Sequence, residues 1–417
     1  MLSLRDKKII WHPFTQEKTA DIVIAAKAKG CYIYDENGKA YLDLISSWWV
    51  NLHGHAHPEI ARSIYEQSMQ LEHVIFADFT HEPAVKLCEE LKELLPPSLN
   101  RFFFSDNGST AVEVALKMSY QYWCNQGQEN RKIFLSFEGG YHGDTFGAMS
   151  VGHTSKFHDV FKSFFFKVLS VPYPDTWDDD LNVEEKEQKA LNILDQYLEE
   201  HGHKIAALIL EPLVQGASGM RMCRANFIND VILRMRAKGI LVIFDEVMTG
   251  FGRTGTNFAL DQINAKPDFL CLSKGITGGF LPLALTVTTE NVYSAFLHNE
   301  WKYAFAHGHS YTANPIACAA AITSLKLLKK TNLTHINQAH KSGISYLKTK
   351  CPDIKHTRIL GTISAFEIDS AQKLKPQFLA EGMLIRPLGN TIYLLPPYCI
   401  TAEELNVVYE KLGNMLR

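Results

Sequence analysis

Apolar positions along this chain follow two patterns. Near the amino terminus they alternate with polar ones in the runs 30–35 and 40–44, which flank Asn37-Gly38. Asn-Gly between two such runs predicts a β-hairpin. From about residue 58 the texture changes to helical stretches, such as 82–95, separated by short unbroken apolar runs. The clearest runs are 101–104, 132–135, 206–210 and 240–244, with 269–272 as a fifth. Strands without polar alternation are buried on both faces, and their alternation with helices predicts an α/β fold with a mainly parallel sheet. After about residue 330 the pattern becomes α+β, which predicts a second, smaller unit. The acidic stretch 176–187 reads as an exposed excursion.

Composition narrows the class. With 417 residues, 46% apolar and 21% charged, the chain is ordinary globular material for about two to three domains. A net charge of −3 gives no basic excess for a phosphate backbone, so nucleic acid is not an expected partner. No apolar run reaches the roughly 18 residues of a membrane span. The polar start Met1-Leu2-Ser3-Leu4-Arg5-Asp6 has no apolar run, so a signal peptide is not expected there. A cytoplasmic protein is the expectation. The eight cysteines are scattered singly, without a CxxC pair, and read as small buried hydrophobes. His53-Gly54-His55-Ala56-His57 has no acidic or cysteine neighbour to complete a metal set, and reads as a loop; no metal is expected.

In an open parallel sheet, ligands bind at the carboxyl ends of the strands. Five strand ends here carry chemistry. They present Asp106-Asn107-Gly108-Ser109-Thr110 ahead of a helix from Ala111, Gly140-Tyr141-His142-Gly143, Glu211-Pro212, Asp245-Glu246 and Ser273-Lys274-Gly275. Gly250-Phe251-Gly252-Arg253-Thr254-Gly255 matches a dinucleotide fingerprint, but Asp245 to Thr249 separates it from its strand and no helix start follows. Pyridoxal 5′-phosphate fits better. It needs an amine to link its aldehyde, a carboxylate on its ring nitrogen, backbone N–H groups for its phosphate and a flat group against its ring. Lys274, Asp245, Gly108-Ser109 and Tyr141 supply these in turn.

The set Gly108-Ser109-Thr110, Gly140-Tyr141-His142-Gly143, Asp245 to Gly255 and Ser273-Lys274-Gly275, with Lys274 29 residues after Asp245, resembles the class III aminotransferases over nearly the whole chain. Further markers narrow the resemblance to the branch of that family that aminates 8-amino-7-oxononanoate in biotin biosynthesis. They are Trp11-His12-Pro13-Phe14-Thr15-Gln16, Ser46-Ser47-Trp48-Trp49, Glu211 to Met220, His307-Gly308-His309-Ser310 and Arg386-Pro387-Leu388-Gly389-Asn390.

The resemblance implies a fold-type I homodimer with shared active sites. It implies three segments: 1–57, an arm and part of a small domain; 58–315, a large cofactor-binding domain; and 316–417, the rest of the small domain. Lys274 would be catalytic. Gly108, Ser109, Tyr141, Asp245 and Lys274 would hold the cofactor, joined by His309 and Ser310 across the dimer. Trp49, Tyr141, Lys274, Gly308, Arg386 and Phe14 would meet substrate, with Arg386 on its carboxylate. Many members carry Tyr at the position of Phe14. The implied donor is S-adenosylmethionine, with lysine the alternative that the Phe14-Thr15-Gln16 form suggests. Other ω-amine transaminases are the neighbouring reading.

Overall fold

The computed structural model describes residues 2–152 and 156–417. A seven-stranded sheet dominates it, in the order Leu99–Ser105, Ala284–Thr289, Phe269–Leu272, Leu241–Asp245, Ile205–Leu210, Ile133–Phe137, Val168–Val171. Six strands point the same way; only Ala284–Thr289 is antiparallel to its neighbours. The central strands Ile205–Leu210, Leu241–Asp245 and Phe269–Leu272 are buried at every position, as expected for strands covered on both faces. All five predicted strands form, most of them one or two residues longer or shifted.

One face of this sheet packs on helix Gly108–Asn125, whose Ala111, Val112, Val114, Ala115 and Met118 are buried. That helix begins at Gly108, three residues earlier than its apolar run suggests, because Asn107 caps it: the Asn107 side chain accepts from Thr110 N at 3.1 Å and Thr110 Oγ1 accepts from Asn107 N. The stretch 176–187 is tied down more than its acidity suggests. Thr176 N donates to Met222 O, Asp178 N to Thr357 O, and helix Val183–His201 starts inside it.

The predicted hairpin forms with Tyr32 opposite Leu42, and it belongs to a sheet that spans the chain. Met383–Leu384, from near the carboxyl end, pairs in parallel with Leu42 and Asp43. A separate three-stranded sheet, Lys355–Leu360, Ile363–Glu367 and Thr391–Leu394, packs under helices Thr334–Lys350 and Ala402–Met415. Helix Pro315–Leu328 lies against helices Pro58–Ser68 and Glu82–Lys92. Among the described residues, no helix is long and apolar enough to cross a membrane.

Candidate active site

The same-direction strands bring their carboxyl ends to one edge, and a cavity of about 510 Å³ opens there. All five strand ends singled out above reach it, through Asp106, Asn107, Gly108, Ser109, Tyr141, His142, Glu211, Asp245 and Lys274. The antiparallel strand contributes from its opposite end, through Phe280 to Leu283, which precede Ala284.

Lys274 follows Phe269–Leu272 with φ 46°, a left-handed conformation costly for a side-chain-bearing residue. Burial of its ammonium lowers the pKa to about 8, against the opposing pull of Asp245 and Glu211. Its Nζ lies 4.5 Å from the centroid of the Trp49 ring. Asp245 is the last residue of its strand and is buried; His142 Nδ1 sits 2.7 Å from its Oδ2, and Val247 N donates to Oδ1 at 3.1 Å. Glu211 is buried, and desolvation pushes its carboxyl up to about 7 despite the nearby His142 and the N–H groups of Tyr141 and Gly216 that donate to it. The Tyr141 hydroxyl donates to Asp144 at 2.8 Å, and its ring stacks on His158.

At the phosphate-type turn the backbone is bare by necessity. A Cβ on Gly143 would lie 2.1 Å from Ser109 Oγ, and one on Gly108 would lie 2.7 Å from a Val247 methyl. Gly108 and Ser109, the first residues of an eighteen-residue helix, line the cavity, and a helix amino terminus suits an anion.

The bend that carries Trp48 and Trp49 is left-handed at four successive residues, Ser46 to Trp49, with φ between 46° and 73°. Buried Asp43 holds it: its carboxylate accepts from Ile45 N, Ser47 N and Ser47 Oγ and sits 2.9 Å from His55 Nε2. Trp49 is buried and donates to Tyr393 Oη at 3.0 Å, walling the cavity. Trp48 turns outward. The Arg386 guanidinium lies 4.7 Å from its ring centroid, Phe14 meets its edge at 5.5 Å, and Arg386 Nη2 donates to Phe14 O at 3.4 Å. Phe14, Arg386 and the tryptophan pair, 372 residues apart at their extremes, thus meet at one place beside the cavity.

Not every predicted residue reaches this chain's own cavity. Gly308 and Ser310 are exposed, and His309 Nδ1 faces Asp106 at 3.6 Å without lining it. Phe14 and Arg386 do not line the cavity; both contact Trp48, next to the lining residue Trp49. The glycine-rich run after Asp245 is scaffold. Buried Glu246, its carboxyl raised to about 8 by desolvation, accepts from Ala259 N and Leu260 N. Buried Arg253 donates to the carbonyls of Trp49, Asn51 and Pro396 and so fixes the far side of the tryptophan bend. In the histidine cluster, His53 meets Ser324 Oγ and His55 meets Asp43.

The sequence shows an imidazole beside Tyr141 but not that His142 braces Asp245. The two are 103 residues apart, after strands that Ile205–Leu210 separates in the sheet, and the fold alone brings them together.

A lysine ammonium buried in the field of two buried carboxylates, a helix amino terminus and aromatic walls at the strand ends of a mainly parallel sheet define the site type. The sequence profile of the family Aminotransferase class-III matches residues 14–416. The chain belongs to the class III aminotransferases. Among its relatives is the adenosylmethionine-8-amino-7-oxononanoate aminotransferase of Synechococcus elongatus, 49% identical over 98% of each chain. The enzyme of the same name from Helicobacter pylori is 41% identical over 100% of this chain and 97% of its own. The solved structure of the Methanocaldococcus jannaschii adenosylmethionine-8-amino-7-oxononanoate aminotransferase superposes with a TM-score of 0.91 at 34% identity, covering 100% of this chain and 98% of that one. The mainly parallel sheet and this likeness are those of the fold-type I transaminases.

Proposed function

We propose that this chain is a cytoplasmic, pyridoxal 5′-phosphate-dependent transaminase. It converts 8-amino-7-oxononanoate to 7,8-diaminononanoate in biotin biosynthesis, with S-adenosylmethionine as amino donor. The observation that carries the reading is the convergence of Lys274, the Asp245–His142 pair and the bare helix amino terminus in one cavity. The full-length relatives of that name support the substrate.

The residues present fit the cofactor. Gly108 and Ser109 would hold its phosphate, Asp245 its ring nitrogen, Tyr141 a ring face and Lys274 its aldehyde carbon. When bound, it supplies an electron sink for the carbanion next to the reacting nitrogen. The chain then has three tasks. Asp245, oriented by His142, would be the charge-assisted partner of the ring nitrogen. Lys274 Nζ, its basicity lowered by burial, would take and hand on the proton at Cα of the donor amine. Trp49, Tyr141 and Leu281 to Leu283 exclude water and present apolar walls that tolerate two unlike substrates in turn.

Arg386 is the proposed carboxylate anchor for the keto acid, a planar guanidinium steadied on Trp48. Phe14 joins that mouth with an apolar ring and no hydroxyl, the feature behind lysine as the second donor reading. Arg386→Ala should cost roughly 10- to 150-fold in kcat/KM for 8-amino-7-oxononanoate, the loss of one charge-assisted pair. The donor half-reaction should change less. Single-turnover spectroscopy of each half separately checks this; equal losses, or none, would remove Arg386 from the role.

Lys274 also carries a pH prediction. In cofactor-free protein its reaction with an amine-directed acylating probe, mapped by peptide mass spectrometry, should rise with pH to a midpoint near 8. The amine is the nucleophile, so the rate follows the deprotonated fraction. A midpoint at the ordinary lysine value of about 10.4 would mean that Lys274 is solvated.

We assign Gly308, His309 and Ser310 to the other cavity of a homodimer. Exposed Ile75, Phe79 and Tyr311 support a covered face, with Tyr311 packed on His73. We also assign 1–57 and 316–417 to one small domain and 58–315 to the large one. The pairing of Met383–Leu384 with Ala40–Asp43 supports the first grouping.

A further inference from the structure

None of the eight cysteines lines the catalytic cavity, and two of them are adjacent. Cys31 Sγ and Cys399 Sγ are 3.1 Å apart across a sequence separation of 368. Cys31 is buried at the foot of the amino-terminal hairpin, while Cys399 is exposed on the turn after Tyr398. Both are free thiols. Space for the pair is set by Gly54, where a Cβ would stand 2.6 Å from Cys399 Sγ. We propose that Cys31 and Cys399 form a reactive dithiol that exchanges with small-molecule disulfides and closes to an intramolecular bridge.

The chemistry divides between them by access. A reagent reaches Cys399 first. The Cys31 S–H can donate to the Cys399 sulfur, which lowers the Cys399 thiol pKa and raises that of Cys31. In the first step the Cys399 thiolate attacks one sulfur of a disulfide RSSR, forming Cys399–S–S–R and releasing RS⁻. In the second, Cys31 loses its proton and attacks Cys399 Sγ, breaking the mixed disulfide and releasing a second RS⁻. Two thiol protons go to the two RS⁻ groups, and the two electrons reduce RSSR to two RSH.

The position gives the bridge a consequence. Cys31 O accepts from Asp43 N, and Asp43 holds the left-handed Trp48-Trp49 bend. Tyr398, beside Cys399, donates its N–H to Leu52 O and its hydroxyl to Phe251 O, on the other side of the same bend. A bond between the cysteines would therefore staple both supports of the bend. It would also close a loop of 368 residues in the unfolded chain, where cross-links constrain most.

The test uses the cofactor-loaded wild-type protein. After incubation with oxidised glutathione, non-reducing peptide mapping should find the Cys31 and Cys399 peptides joined, two hydrogens lighter than their sum, and dithiothreitol should separate them. The Cys31→Ser variant should stop with glutathione on Cys399. The oxidised wild type should melt at a higher temperature than the reduced form, with no such shift in Cys31→Ser. If that variant does not fold, the wild-type map and melting curves decide. Glutathione persisting on Cys399 of the wild type, modification of other cysteines while Cys399 stays free, or a bridge that leaves the melting temperature unchanged would each overturn the proposal.

Discussion

Lys274→Ala is expected to lose at least two to four orders of magnitude in turnover while still binding pyridoxal 5′-phosphate. That range is the ordinary worth of a positioned general acid–base group. Binding should survive because the helix terminus at Gly108 and Ser109 and the carboxylate of Asp245 belong to other strand ends and do not depend on the Lys274 side chain. The fold should survive as well. Residue 274 has φ 46°, which alanine tolerates no worse than lysine, and the substitution removes a buried ammonium rather than an apolar side chain. Cofactor content by absorbance and turnover by product mass spectrometry separate the two effects. Retention of more than about one per cent of the rate would remove Lys274 as the proton carrier.

Asp245→Asn should cost roughly 10²–10³ in rate, the scale of removing one preorganised electrostatic interaction at a buried group. The substitution is nearly isosteric and keeps an acceptor for Val247 N at 3.1 Å. What disappears is the negative charge. An amide neither holds a ring nitrogen protonated nor fixes the His142 imidazole through a charge-assisted bond. Because His142 Nδ1 is 2.7 Å from Oδ2 and the pair is buried, the variant should also show an altered His142 resonance in the NMR spectrum. A normal rate together with an unchanged imidazole signal would reduce Asp245 to a residue that caps the turn at Val247.

The site is legible in the sequence to the extent that it lies on strand ends. Lys274, Asp245, Glu211, Tyr141 and the turn at Gly108 each follow an apolar run, and a parallel sheet has one edge where such ends meet. The antiparallel strand Ala284–Thr289 is not legible, because Thr286 and Thr288 interrupt its apolar pattern; both are buried and satisfied by the carbonyls of Ala111 and Asp268. Apolar periodicity puts the start of helix Gly108–Asn125 three residues late, because a capping box at Asn107 and Thr110 sets it instead.

Pairings across the sheet are equally hidden. His142 with Asp245, and Arg253 with the carbonyls around Trp49, follow from tertiary neighbours that local periodicity does not encode. The meeting of Phe14, Trp48 and Arg386 depends on the carboxyl-terminal strand Met383–Leu384 pairing beside the amino-terminal hairpin.

The central claim is that this cavity transfers an amino group to 8-amino-7-oxononanoate. The most direct measurement incubates the purified, cofactor-loaded protein with that keto acid and, in parallel reactions, S-adenosylmethionine, lysine, ornithine or 4-aminobutyrate, and quantifies products by mass spectrometry. The expected result is 7,8-diaminononanoate with S-adenosylmethionine as donor, and none from the Lys274→Ala protein. 8-Amino-7-oxononanoate left unchanged under every donor would contradict it.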